Sequence, residues 1–366
     1  MTPPRSRPRV LVLAPSLDIL GGQARQAARL MEYFRAERNV EVDFLPVNPR
    51  LPGPFRYLQR IKYVRTVVTT LTYWTMLLVR IRQYDVLHIF SASYYSYLLS
   101  AAPAVLLGKL VGKKTVLNYR SGECEDHLRR WRLTGSPIIR LADVVVVPSA
   151  YLVDVFARFG IPARAILNTV ELDRFVFRDR RPLKPIFLTT RLLEPLYNVG
   201  CVLRAFALIQ QRYPDARLIV GGDGSMRNEL KQLARALCLR NVEFVGGVPF
   251  ERMPVLHDSA DIYLNATNLD NMPASLIECF ACGLPVVTTD AGGIPYIVTH
   301  ERTGLLVPRN DHAAMAIAAI RLLDDQTLAA TIARQAWAEC AKYSWERVRE
   351  EWLRLYRDLA ARDISR

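Results

Sequence analysis

The sequence predicts an α/β protein made of two doubly wound domains, each a parallel sheet with helices on both faces. Three observations carry that expectation. The chain has 366 residues, more than one ordinary hydrophobic core organises. Short β-branched runs alternate with longer helical stretches, and the alternation stops at a polar, proline-bearing segment before starting again. With 51% apolar and 23% charged residues, the chain falls among globular proteins and outside the disordered, collagen-like and disulfide-scaffold classes.

In chain order, residues 9–14 read as a strand, 23–34 as a helix, and 40–45, 86–90, 115–117 and 144–147 as strands. These runs are apolar at successive positions, as expected of strands covered on both faces. Ser149 as N-cap and Gly160 as C-cap delimit a helix over 151–159. Residues 176–185 hold Arg178, Asp179, Arg180, Arg181, Pro182, Lys184 and Pro185, and the domain boundary is placed there, giving domains 1–178 and 179–343. Strands then resume at 186–189, 218–221, 242–244, 262–264, 285–288 and 304–307. In the remaining 344–366, Trp345, Val348, Trp352, Leu355 and Tyr356 recur at helical spacing. Two such sheets in tandem place the carboxyl ends of their strands, where α/β ligands bind, around a shared cleft.

The net charge of +14 is unevenly divided. Residues 1–178 hold 26 basic against 13 acidic residues, and the rest 23 against 22, so the first half is the one suited to an anionic partner. No nucleic-acid motif accompanies the charge, and a nucleic-acid partner is not expected. Leu58, Ile61, Val64, Val68, Leu71, Trp74 and Leu78 lie at helical spacing, with Arg56, Arg60, Lys62 and Arg65 at one end and Arg80 and Arg82 at the other. This basic amphipathic segment fits either a helix covering its own sheet or one lying on an anionic membrane surface. No apolar run reaches membrane-spanning length and the first residues lack a secretory pattern, which points to a cytoplasmic location, peripheral on the inner face if the helix meets lipid. The six cysteines are too sparse for a stapled fold, and the Cys279–Cys282 pair lacks the second pair that a zinc site needs.

Two glycine-rich turns follow strands. Gly21-Gly22 precedes the first helix, and Gly221-Gly222-Asp223-Gly224 precedes a helix over 226–237. Such turns let backbone approach a ligand and offer helix N–H groups to an anion. Neither has the three-glycine dinucleotide fingerprint or the Lys-Ser/Thr of a P-loop, which disfavours hydride transfer and ATP hydrolysis. The densest polar region is Asn265 to Glu278: Asp270 sits in a loop before a helix, and Glu278 lies on an otherwise apolar face, where a carboxylate needs a partner such as a sugar hydroxyl or nearby backbone. Gly292-Gly293-Ile294-Pro295 is read as the opening of another helix.

The run D-N-M-P-A-S-L-I-E-C-F-A-C-G-L-P-V-V-T-T-D-A-G-G-I-P resembles the signature of family 4 retaining glycosyltransferases, and the likeness extends through G-G after the first strand, V-P-S, L-N-T-V-E-L-D-R-F, G-G-D-G, V-E-F-V-G and the closing S-W-E-R. The resemblance implies the GT-B fold, two Rossmann-like domains facing a central cleft, with the last helix crossing back to the first domain. It implies that Glu278 binds the ribose hydroxyls of a nucleoside-diphosphate sugar and that Asp270, where the family usually has Glu, contacts the donor sugar. Arg191 takes the diphosphate by a charge-assisted fork. Gly22, Gly222 and Gly224, Val248 near the base, and Asn271, Met272 and Pro273 complete the donor site.

Two departures stand out. The family's lysine beyond the arginine is missing from Arg191-Leu192-Leu193-Glu194-Pro195-Leu196-Tyr197-Asn198, leaving Arg178 and Arg120 as candidate compensating cations. Arg120 stands at the apparent place of a first-domain histidine and joins the catalytic candidates; His88 and His127 are the imidazoles nearby. No D-x-D occurs, and neither a metal nor a cofactor is expected. The implied reaction is retaining transfer of a hexosyl group to a lipid-linked or envelope or exopolysaccharide glycan acceptor. The alternatives are a GT-B sugar-nucleotide epimerase and a catalytically silent nucleotide-sugar-binding protein.

Overall fold

In the computed structural model, residues 7–17, 22–51 and 53–361 are described. Gly21 and the side chain of Arg56 lie outside them. By its internal contacts the chain divides into two compact units, 1–169 with 345–366, and 170–344. The division falls at residue 170, where the sequence placed it at 179. The connecting residues pack with the second unit: Phe175 is buried there, and the Arg178 and Arg180 guanidiniums bond the carbonyl of Ala260.

The first unit holds strands β1 (Arg9–Ala14), β2 (Glu41–Pro46), β3 (Val86–Ser91), β4 (Lys114–Tyr119), β5 (Val144–Val147) and β6 (Arg164–Ala165), all parallel, in the order β2-β1-β3-β4-β5-β6. Side chains alternate across the sheet. Leu11, Leu13, Leu87, Ile89 and Leu117 enter one core with Tyr73, Leu77 and Phe156. Val10, Val12, Val86, Phe90 and Val116 enter the other, with Leu30 and Phe34 from the helix Gly22–Arg35 and with Val348, Trp352, Leu355 and Tyr356 from the closing helix Trp345–Ala361. That closing helix is therefore part of the first unit's core. Ser149 caps the helix Ala150–Arg158, its Oγ accepting the Leu152 N–H at 3.3 Å.

The second unit holds β7 (Ile186–Thr190), β8 (Arg217–Gly221), β9 (Val242–Gly246), β10 (Ile262–Asn265), β11 (Val286–Thr289) and β12 (Leu305–Val307), again all parallel, in the order β12-β11-β10-β7-β8-β9. The doubly wound α/β architecture expected from the alternating runs is the one observed in both units.

Three local expectations differ from the structure. β6 has two half-buried residues, too short and too polar to register as a strand by pattern. Gly292-Gly293 opens only a single 3₁₀ turn, Ile294–Tyr296. The basic segment is not one helix: a 3₁₀ stretch, Gly53–Arg60, is separated from the helix Val64–Arg80 by Tyr63, whose φ of 68° lies in the left-handed region.

Candidate functional site

In the second unit β7 and β10 are neighbours at the centre of the sheet, so the loops leaving their carboxyl ends meet above it. Arg191 is the first residue after β7, and Asp270 lies in the loop between β10 and the helix Ala274–Ala281. The Arg191 Nη2 donates to Asp270 Oδ2, and Nη1 donates to Ser275 Oγ at 3.2 Å. The guanidinium also lies over the Tyr197 ring, 4.3 Å from its centroid. Burial opposes the Arg191 charge, but Asp270, with Tyr263 and Tyr197, outweighs it and raises the pKa above the ordinary guanidinium value. Tyr263 stands at the base of the arrangement, its hydroxyl 3.0 Å from Thr190 Oγ1.

Asp270 is held from behind. Asp270 Oδ1 accepts the Asn271 N–H at 2.8 Å, and the Asp270 carbonyl accepts the Gly293 N–H at 2.8 Å. A Cβ on Gly292 would lie 2.2 Å from the Asp270 carbonyl oxygen, and one on Gly293 1.9 Å from that of Asn271. The diglycine thus exists to let two loops touch, which is why it supplies a turn in place of the expected helix. Asn271, Met272 and Pro273 are buried. Glu278 is 2% exposed, one turn beyond Ser275 on the same helix. Its Oε1 is buried with no hydrogen-bond partner, as are Arg191 Nε and Asn268 Oδ1.

The loop after β8 completes the frame. Gly222, at φ +139°, has its Cβ position 2.0 Å from the Arg191 carbonyl oxygen, and that of Gly224 is 2.5 Å from the Leu193 carbonyl oxygen. Leu193 N–H donates to the Asp223 carbonyl at 3.0 Å, and Met226 N–H to the Leu193 carbonyl at 2.9 Å. Ser225 donates to Glu194 through its N–H at 2.8 Å and its hydroxyl at 2.5 Å. These glycines admit the backbone that carries Arg191. Val248 lies beside this loop, 3.6 Å from the Cβ position of Gly221.

The structure therefore brings Arg191, Asp270, Gly222, Gly224, Asn271 and Val248 to the carboxyl ends of β7, β8 and β10, with Glu278 in the adjoining helix. Arg178 does not join them. Its Nη2 bonds Asp261 Oδ1 at 2.8 Å and the carbonyls of Asp258 and Ala260. Asp261 precedes β10, so Arg178 is committed at the opposite end of that strand and is no substitute for the absent lysine. Sequence reading missed Tyr197, Ser275 and Tyr263. Tyr197 had a signal, since it falls in the stretch where the lysine was sought, and its ring now lies on Arg191.

Arg120 and Gly22 belong to the first unit. Gly22 heads the helix Gly22–Arg35, and a Cβ there would meet nothing within 4 Å. Arg120 follows β4, donates to Asn168 Oδ1 and, at 3.4 Å, to Asn118 Oδ1, and lies 5.2 Å from the Phe90 ring centroid. Burial lowers its pKa to about 9, which still leaves it charged at neutral pH. His88 is fully buried between Tyr356 Oη at 2.6 Å and Asn118 Nδ2 at 2.9 Å, and stacks on Trp352. His127 is likewise buried, with Nδ1 2.6 Å from Tyr119 Oη. Burial drives both imidazoles down, to about 3 and about 4, so they are neutral structural groups near neutral pH.

Comparison with known proteins bears on what this arrangement does. Residues 20–174 match the model of Glycosyltransferase Family 4, and residues 175–342 that of Glycosyl transferases group 1. A GDP-mannose-dependent alpha-(1-6)-phosphatidylinositol monomannoside mannosyltransferase of Mycolicibacterium smegmatis is 29% identical over 273 residues, 65% of this chain and 70% of that one. A D-inositol 3-phosphate glycosyltransferase of Corynebacterium jeikeium is 32% identical over 200 residues, 51% of this chain but only 48% of that protein's length. Among solved structures, a sucrose-phosphate synthase from Thermosynechococcus elongatus has TM-score 0.80 at 21% identity, covering 97% of this chain and 100% of its own. The Anabaena protein HepE, solved with UDP and glucose, has TM-score 0.75 at 17% identity, covering 96% and 100%. At those identities the structural likeness speaks for the fold alone.

Proposed function

The chain belongs to glycosyltransferase family 4 and has the GT-B fold, and on that premise we propose that it moves a hexosyl group, with retention, from a nucleoside-diphosphate sugar to a lipid-linked or envelope glycan acceptor. The observation that carries this reading is a buried guanidinium paired with the Asp270 carboxylate at the strand ends, one helical turn from a second buried carboxyl group, with the Glu278 Oε1 and the Arg191 Nε left unpartnered. In the reaction proposed, Arg191 receives the diphosphate and stabilises its negative charge as the glycosidic bond breaks. Glu278 accepts hydrogen bonds from the ribose hydroxyls, and Asp270 accepts them from the donor sugar. The protein supplies the countercharge through Arg191, and no metal or cofactor is part of the reading. Retention follows the family pattern, with the leaving phosphate taking the acceptor proton on the face from which it departs. The basic first half receives the acceptor.

Two nucleotide chemistries are candidates for the donor, since the mycolicibacterial relative is named for GDP-mannose and HepE was solved with UDP. A thermal-shift screen of the purified chain against UDP-, GDP- and ADP-sugars, followed by chromatography of the best donor with and without acceptor, tests the reading. Transfer that requires acceptor supports it. Epimerised nucleotide without acceptor establishes the epimerase, and binding without turnover over a broad acceptor pool establishes a silent binder. Arg191→Ala is expected to weaken the nucleoside diphosphate by about 10- to 150-fold, the worth of a hydrogen bond to a charged group, while leaving the bare nucleoside nearly unchanged. Equal losses for both ligands remove Arg191 from the diphosphate role.

A further inference from the structure

We propose that the helix Val64–Arg80 docks this protein on a bilayer rich in anionic lipid, lying in the plane of the interface with an outward apolar stripe among the headgroups. This goes beyond the transfer reaction and is independent of the donor site. The helix carries two apolar faces. Tyr73 and Leu77 point inward and are buried in the first unit's core. Val67, Leu71, Trp74 and Leu78 fall within an arc of about 60° on another face, at 3.6 residues per turn. They are 58%, 55%, 38% and 56% exposed. A helix whose only task is to cover its sheet carries polar residues at such positions. The stripe also continues beyond the helix. Trp74 Nε1 donates to the Leu99 carbonyl at 3.0 Å, which ties the indole to the segment bearing exposed Leu98, and Ile61 is exposed just ahead of the helix.

Charge identifies the occupant. Between Asp43 and Asp85 the sequence contains no Asp or Glu and seven Lys or Arg. Arg60, Lys62 and Arg65 are exposed at one end of the stripe and Arg82 at the other. Arg80 is already engaged, donating to the Phe44 carbonyl and the Tyr84 hydroxyl. Apolar side chains framed by cations without local anions match acyl chains beneath anionic headgroups. A second copy of the chain would set two such basic clusters against each other, which disfavours it as the occupant. Among the described residues no helix is long and apolar enough to cross a membrane, and Thr66, Thr69, Thr70, Thr72 and Thr75 keep this one from spanning.

The test is flotation of the full chain, without donor, with vesicles of phosphatidylcholine alone or mixed with phosphatidylglycerol. Binding is expected only to the mixed vesicles and is expected to fall as salt rises from about 50 to about 500 mM. Leu71→Ser with Leu78→Ser is expected to abolish it. Lys62→Gln and Arg65→Gln are each expected to lower partitioning about fivefold. Because all four positions are on the surface, the melting temperature should stay near that of the parent, and the charge variants stand alone if the serine pair fails to fold. Equal binding to neutral vesicles, indifference to salt, or full binding by the serine or glutamine variants overturns the proposal. So does a parent dimer in light scattering that the serine pair reduces to a monomer without vesicle binding, which assigns the face to a second copy.

Discussion

Replacing Glu278 by methionine should make the ligand-free protein more stable and the ligand-bound protein less so. Glu278 is 2% exposed, and its Oε1 is buried without a partner. An unsatisfied buried polar atom costs about 1–3 kcal/mol. Methionine is similar in length and removes the polar atoms, but it fits the carboxyl's space imperfectly, so the lower part of that range, about 1–2 kcal/mol, is the expected gain. For a unit of this size each kcal/mol corresponds to roughly 2–4 °C, giving a rise of about 2–8 °C in the unfolding temperature. In the proposed reaction the parent protein recovers the difference on binding donor, since a ligand at about 100 times its Kd adds roughly 2.7 kcal/mol. The variant lacks the oxygen proposed to accept from ribose and should lose most of that gain. Scanning calorimetry of both proteins, with and without the nucleoside-diphosphate sugar, would show the order of melting temperatures reverse. A methionine variant that melts lower without ligand, or that retains the full ligand-induced rise, would refute the assignment of Glu278 as an unpartnered donor-binding group.

Two further perturbations test the frame. Gly222→Ala places a Cβ 2.0 Å from the Arg191 carbonyl oxygen at φ +139°, so it should destabilise the protein by about 1–3 kcal/mol or more and weaken diphosphate binding by displacing Arg191; unchanged melting and affinity would mean the loop has slack. The folded-state pKa values of His88 and His127, about 3 and about 4, lie below the ordinary 6.5. The unfolded imidazoles therefore take protons first, and stability that is full above about pH 6.5 is lost as pH falls toward those values, by at most ~1.4 kcal/mol per pH unit for each histidine. Thermal unfolding between about pH 7 and about pH 5, a window that mostly precedes carboxyl titration, should show this decline, and His88→Gln should flatten it by roughly half. An identical slope in the variant would remove His88 from the account.

The sheets were legible because buried parallel strands are written as short apolar runs: β1 and β5 were located to the residue, and all six strands of the second unit were found. What escaped were features set by contact between distant segments. β6 has two residues and takes its identity from pairing with β5, not from its own composition. The glycines at 222, 224, 292 and 293 were legible as special positions, but their reason, a neighbouring carbonyl where a Cβ would sit, needs the opposing loop. Arg178 and Arg191 look alike as sequence. Only the geometry shows that the former is bound by four oxygen atoms at the amino end of β10 and the latter stands at its carboxyl end. The outward stripe on Val64–Arg80 was visible as a periodicity, though not the direction it faces, because that helix is amphipathic twice over.

Two differences from the family pattern, aspartate for glutamate at position 270 and the missing lysine beyond Arg191, meet at one place. Asp270 is a methylene shorter than the usual glutamate, and its Oδ2 takes an Arg191 N–H; Tyr197 lies on the same guanidinium in place of a second cation. A lysine beside Arg191 would add charge repulsion to a buried site, whereas an aromatic face holds the guanidinium plane and adds about 0.5–2 kcal/mol of attraction. In the proposed reaction an arriving diphosphate competes with Asp270 for Arg191, because both are anions seeking the same donors. Until it arrives, the Asp270 carboxylate neutralises the site. In the same reading, its arrival leaves that carboxylate without its partner and frees its oxygen atoms to accept from the hydroxyls of the donor sugar. On that proposal the pair couples recognition of the sugar to prior seating of the diphosphate, with a single cation serving where the family pattern has two.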